Sequence, residues 1–161
     1  MARRRYGDET WRLAVAGDAA GLHRVADLLL GESEEESYDG HRARAFAHAV
    51  EGRTAAALEQ LNEGWTEDWP FPSAYAADIA RVRFLGGDYT EALEALHLSV
   101  RGADRVDPAV SALAAAAVRG DRRLVRPALR VAFAGGTPRQ RLATAGRVLA
   151  ARVRATRGSG G

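Results

Sequence analysis

Apolar residues recur along this chain at the three- and four-residue spacing that lines one side of a helix, and glycine-centred breaks interrupt them at regular intervals. Ala57, Leu58, Leu61 and Trp65 form one such set, Ala92, Leu93, Leu96 and Val100 the next, and Val125, Leu129 and Phe133 another. An earlier set, Leu22, Ala26 and Leu30, keeps the register but carries His23 where the later sets have Leu58 and Leu93, which reads as an atypical end unit. The breaks are Gly17-Asp18, Gly52-Arg53, Gly87-Asp88 and Gly120-Asp121, with their glycines 35, 35 and 33 residues apart. A second helical stretch precedes each break, so each unit is predicted to be helix, tight turn, helix, with glycine supplying the positive φ that ends the first helix. No segment shows the strict alternation of a strand.

The punctuation between these stretches agrees with the pattern. Ser73, after Pro70 and Pro72, is expected to be an N-cap, Asp107-Pro108 and Thr137-Pro138 each place a cap before a first-turn proline, and Asp88 with Glu91 resembles a capping box. Pro127 falls inside the second helix of the fourth unit and is expected to kink it or delay its start. The predicted hairpins cover about 8–31, 38–65, 73–101 and 107–135. An amphipathic stretch over 137–155 then carries Leu142, Leu149 and Val153 on one face, flanked by arginines, and is expected to cap the stack; 158–161 is left as a tail. A lone pair of short helices cannot bury its apolar face, so successive pairs are expected to stack as one all-α domain with Leu61 and Leu96 inside it.

Gly87-Asp88-Tyr89-Thr90-Glu91-Ala92-Leu93 resembles the central turn of a tetratricopeptide repeat, and Gly52-Arg53-Thr54-Ala55-Ala56-Ala57-Leu58 resembles it more weakly. The resemblance spans roughly residues 8–135 and is to a divergent member: His41, Ala76 and Ala109 stand where the family has a large aromatic, and Ala45, Ala80 and Leu113 where it has a packing glycine. It implies a right-handed α-solenoid of about four hairpins plus the capping helix, with a concave face built from the first helix of each unit. On that face it puts Trp11, Phe46 and Arg81 at equivalent positions, with Arg42 and Phe84 nearby. Aromatic and arginine side chains are the commonest interface anchors. The implied function is protein binding, as an adaptor, chaperone-like factor or regulator, with an acidic, partly apolar peptide or helix in the groove. Packing of Trp11 and Phe46 between neighbouring helices is the equally open alternative. With no lysine and only Asn62, the chain lacks the means by which the chaperone-binding members hold a terminal carboxylate.

Composition narrows the field further. The chain has 161 residues and no cysteine, which excludes disulfides and thiolate metal sites. No apolar run is long enough to cross a membrane, and the start of the chain lacks a signal-peptide core, so a soluble cytoplasmic protein without a membrane partner is expected. All 23 basic residues are arginine, in an alanine- and glycine-rich chain, which is the usage of a GC-rich bacterial genome. Charge is uneven: residues 1–80 carry net −7 and residues 81–161 net +9. Such asymmetry favours an interaction surface, nucleic acid, or weak head-to-tail self-association at low salt.

Other chemistry is sparse. Between Arg119 and Arg157 there are 11 arginines and one acid, Asp121, read first as solvated, codon-biased arginines, then as a protein docking surface, and last as a nucleic-acid surface; the last gives the alternative function, a nucleic-acid-associated protein, although no aromatic follows Phe133 for base stacking. The aromatic loop Trp65–Phe71 is read either as a partner site or as packing over an edge, and the run Glu32–Ser37 as a solvated acidic loop or a docking element for a basic partner. Of the four histidines, His41 and His48 share a helix face two turns apart and are assigned to helix packing, with Glu51 three residues beyond His48 as the only hint of a metal site. No nucleophile elbow or phosphate loop is present. An enzyme is not expected, nor a cofactor or metal.

Overall fold

A computed structural model describes residues 3–32, 37–65 and 72–157. Among them lie nine α-helices and no strand: α1 (Arg3–Val15), α2 (Ala19–Glu32), α3 (Ser37–Val50), α4 (Thr54–Gly64), α5 (Pro72–Leu85), α6 (Tyr89–Val100), α7 (Pro108–Gly120), α8 (Val125–Ala134) and α9 (Pro138–Arg157). The predicted all-helical class and the packing of consecutive helices are both present. The acidic run at 33–36, most of the aromatic loop at 66–71 and the tail at 158–161 lie outside the described residues.

The chain divides into two compact units, residues 1–87 and 88–161. In the first, α2 packs on α3 and α3 on α4, while α1, α3 and α5 also touch in succession. Leu22, Phe46, Leu61 and Val82 are fully buried at its centre, joined by Ala45, Ala47, Ala49 and Ala57. The alanines let the helix backbones approach closely while the few large side chains fill the remaining space. In the second unit α6 contacts both α7 and α8, and α9 lies against α7 and α8.

The turns follow the predicted chemistry in most places. Gly17, Gly52 and Gly87 adopt φ of 73°, 79° and 81°. At the first two, the glycine N–H reaches back three residues and the next N–H reaches back five, closing the helix end in a Schellman turn. Asp88 caps α6 by accepting from Glu91 N, Asp107 caps α7 with Pro108 in the first turn, and Thr137 and Gln140 form a reciprocal capping box on α9. Pro127 delays its helix: a 3-10 turn at Arg122–Leu124 comes first, and proline then sits in the first turn of α8, where its missing N–H costs nothing.

Three details differ from expectation. Ser73 lies inside α5, because Pro72 takes the first-turn position. Gly120 ends α7 without positive φ; a Cβ there would meet the Tyr89 ring at 2.5 Å, so close packing explains this glycine. Finally, α9 turns its small residues inward: Thr144, Ala145, Val148 and Ala151 are buried, while Leu142, Leu149 and Val153 stay 70%, 47% and 50% exposed. Helix periodicity put the large apolar residues on one face of α9, and the closer approach allowed by small side chains made another face the one that packs.

Leu96 is buried at 2% exposure, so Leu96→Ala is expected to cost about 2–5 kcal/mol. The exposed Leu149 is expected to tolerate alanine within about 0.5 kcal/mol. Urea unfolding of the two variants checks both figures; equal losses would show that the burial pattern in this unit is wrong.

Candidate partner-binding site

The first helices of the opening unit bring most of the predicted site residues together. On α3, Tyr38, Arg42 and Phe46 recur every four residues and so form one stripe. On α5, Asp78 and Arg81 share a face at a spacing of three, and α1 contributes Trp11. Phe46 is 1% exposed and meets the Trp11 ring edge-on, centroids 5.8 Å apart. The Arg81 guanidinium carbon lies 5.6 Å from the centre of the Trp11 ring, within cation–π range.

Asp78 organises the polar half of this cluster. It is 2% exposed, and its carboxylate accepts from Tyr38 Oη at 2.9 Å and from Arg81 Nη1 at 2.8 Å. Arg42 Nη1 approaches the same carboxylate at 3.9 Å and its Nη2 pairs with Asp39 at 2.9 Å. A buried carboxylate is tolerated only when charges and hydrogen bonds replace its water, and here two guanidinium groups and a phenol do so. Burial pushes the Tyr38 phenol far above its ordinary value and the Asp78 charge adds to this, so the phenol keeps its proton and remains a donor.

Of the five predicted residues, Trp11, Arg42, Phe46 and Arg81 therefore belong to one connected cluster. Phe84 follows Arg81 by three residues on α5 and is half-buried. Phe46 lies in the core as a support beneath Trp11. Arg42 and Arg81 have side chains 15% and 21% exposed, and the Nε of each is buried with no hydrogen-bond partner among the described residues. The residues that sequence reasoning missed are Tyr38, Asp39 and Asp78. Their available signal was a carboxylate set among apolar residues in Ala76-Ala77-Asp78-Ile79-Ala80, three positions before an arginine.

The aromatic loop is represented by Trp65, which stacks on Tyr75 at 5.0 Å and 18°. His41 Nδ1 lies 2.7 Å from the Gln60 side-chain amide nitrogen. His48 does not share a site with His41; it faces His23 of α2, ring centroids 5.6 Å apart. In the second unit, Arg122, Arg123, Arg126 and Arg152 line a cleft with Val125, and Arg119 joins Arg122 and Arg123 around an adjoining one.

Burial lowers the His41 value; Glu63 opposes this and Arg44 reinforces it. His48 is lowered for the same first reason, with Arg53 adding to it. The unfolded rings take up protons near pH 6.5 while the folded rings resist, so stability is full above that pH and falls as pH drops below it. Unfolding free energy is accordingly expected to decrease between about pH 7.5 and 5.5, and less steeply in His41→Gln. Identical slopes in denaturation series of the two proteins would contradict the assignment.

No family model, curated protein or solved structure matches the chain.

Proposed function

We propose that this chain is a protein-interaction module, a right-handed solenoid of about four tetratricopeptide-like hairpins with a capping helix, acting in the cytoplasm as an adaptor, chaperone-like factor or regulator. Its partner segment is acidic and partly apolar, and it lies across α1, α3 and α5. The observation that supports this reading is the pre-set cluster on these helices: an arginine stacked over Trp11 and a second arginine fixed by Asp39 and Asp78. Anchors already held in one rotamer lose little entropy on binding. A partner carboxylate would meet the guanidinium edges, and an apolar side chain the ring of Trp11, with Phe84 alongside. No catalytic residue belongs to this reading.

Affinity capture from cells of the source organism tests it. A protein retained by wild type is expected to bind Trp11→Ala and Arg81→Gln more weakly by about 1–3 kcal/mol each, while Leu149→Ala binds normally. Variants are first checked for helical circular dichroism. Undiminished binding by folded Trp11 and Arg81 variants would overturn the assignment.

A second reading has its own observation: the cleft lined by Arg122, Arg123, Arg126 and Arg152 contains no carboxylate among its lining residues. Such a site would hold phosphates. Retention on nucleic acid that falls steeply with salt would favour it over the protein-binding reading.

A further inference from the structure

We propose that His23, His48 and Glu51 form a binding site for a divalent transition-metal ion of the zinc type. The three side chains come from two places in the first unit: His23 from the second turn of α2, and His48 with Glu51, three residues on, from the end of α3. One ligand atom from each, all three lying within 4.8 Å of one another, makes the cluster. His23 Nε2 is 3.2 Å from Glu51 Oε1, and His48 Nδ1 is 3.5 Å from Glu51 Oε2. Zinc bonds nitrogen and carboxylate oxygen at about 2.1 Å, and a tetrahedral angle then sets neighbouring donors about 3.4 Å apart. Each imidazole nitrogen lies near that distance from one carboxylate oxygen, but the two contacts are to different oxygens, so the exposed Glu51 carboxylate has to turn to offer one oxygen to a shared ion.

The chemistry of the donors agrees with the spacing. Imidazole and carboxylate are the ligand types that suit zinc, and the chain has no cysteine to compete for it. The two rings cross at 68° and so meet edge to face and do not stack. His48 Nδ1 is buried without a hydrogen-bond partner among the described residues, and its 3.5 Å approach to Glu51 is long for a hydrogen bond. A cation there would give His48 Nδ1 the partner it lacks, while Glu51 Oε2 is already held by Arg53. With one donor from each residue, a fourth coordination position is open to water or to a donor from another molecule.

One group opposes the ion. Arg53 pairs with Glu51 Oε2, and its charge repels a dication; the side chain is 54% exposed and belongs to the turn before α4, so it can swing into solvent. That competition yields a signature that an ordinary ion-pair network does not have. Removing Arg53 is expected to strengthen metal binding even though it removes a contact to Glu51. The site would tie α2 to the turn between α3 and α4, and by linkage an ion bound only to the folded state stabilises it in proportion to its concentration. This inference stands apart from the partner reading, because neither arginine of the Asp78 cluster takes part.

Calorimetric titration of the full chain, free of any histidine tag, with Zn2+ at neutral pH is the test. About one ion per chain is expected to bind, with affinity reduced at least about tenfold in His23→Gln and in Glu51→Gln, and unchanged in His97→Gln. Arg53→Ala is expected to bind more tightly than wild type. His23 and Glu51 are both about one-third exposed, and circular dichroism confirms that their variants fold. Absence of saturable binding overturns the proposal, as does binding that survives both the His23 and the Glu51 substitutions.

Discussion

Asp78→Ala is expected to lower the stability of the chain by about 3–5 kcal/mol, the effect of removing one partner from a buried charge network. The loss has little to do with the volume of the side chain. Without the carboxylate, the Tyr38 hydroxyl and Arg81 Nη1 lose their acceptor, and two guanidinium groups stand together on the same face with only Asp39 to offset them. Asp39→Ala, at a more open position, is expected to cost under about 1 kcal/mol. Tyr38→Phe removes one hydrogen bond and leaves the charge balance intact, so about 1–3 kcal/mol is expected. Guanidinium unfolding followed by helical circular dichroism measures all three. An Asp78→Ala variant as stable as Asp39→Ala would mean that the cluster does not hold α3 and α5 together.

Phe46→Ala is expected to cost about 3–5 kcal/mol, the range for deleting a fully buried aromatic. The cavity would open among Ala45, Ala49 and Val82 of the same core, and Trp11 would lose the edge-to-face contact that sets its angle. Phe46→Leu keeps most of the volume and is expected to lose less than half as much. A partner-binding assay of Phe46→Ala would therefore read folding; Arg81→Gln keeps an N–H donor for Asp78, and it and Trp11→Ala are compared for binding after their own stability has been measured. A loss below about 1 kcal/mol in the alanine variant would show that this ring is not core.

The helices and most of their ends were legible in the sequence because their determinants are local. Gly17, Gly52 and Gly87 announce the left-handed turn, and Asp88, Asp107 and Thr137 announce caps, through residues within a few positions of the feature they create. Gly120 looked like a member of the same series, but its reason is the Tyr89 ring, 31 residues away, and no local signal distinguishes the two cases. The inward face of α9 was illegible for a related reason. Periodicity ranks faces by hydrophobicity, which favoured Leu142, Leu149 and Val153, whereas the fit against α7 and α8 selected Val148 and its small neighbours.

The candidate site was partly legible. Its aromatic and arginine members were read from positions expected to be equivalent between hairpins, and the structure connects four of them. Their shared counter-charge was hidden, because pairing Asp78 with Tyr38 spans 40 residues, and pairing His23 with Glu51 spans 28. Replacing Leu58 and Leu93 by His23 in the first unit looked like decay of a repeat; it places an imidazole where α2 meets the end of α3. Contacts of this kind depend on how one helix is turned against the next, which sequence spacing within a single helix does not specify.

Hydrogen–deuterium exchange of the full chain, alone and with its captured protein partner, tests the central claim most directly. The account predicts slower exchange in peptides containing Trp11, Arg42 and Arg81, the three helices that carry the Asp78 cluster, with little change across Arg139–Arg157. Protection confined to the arginine-rich segment from Arg119 onward, with the α1, α3 and α5 peptides unaffected, would contradict it.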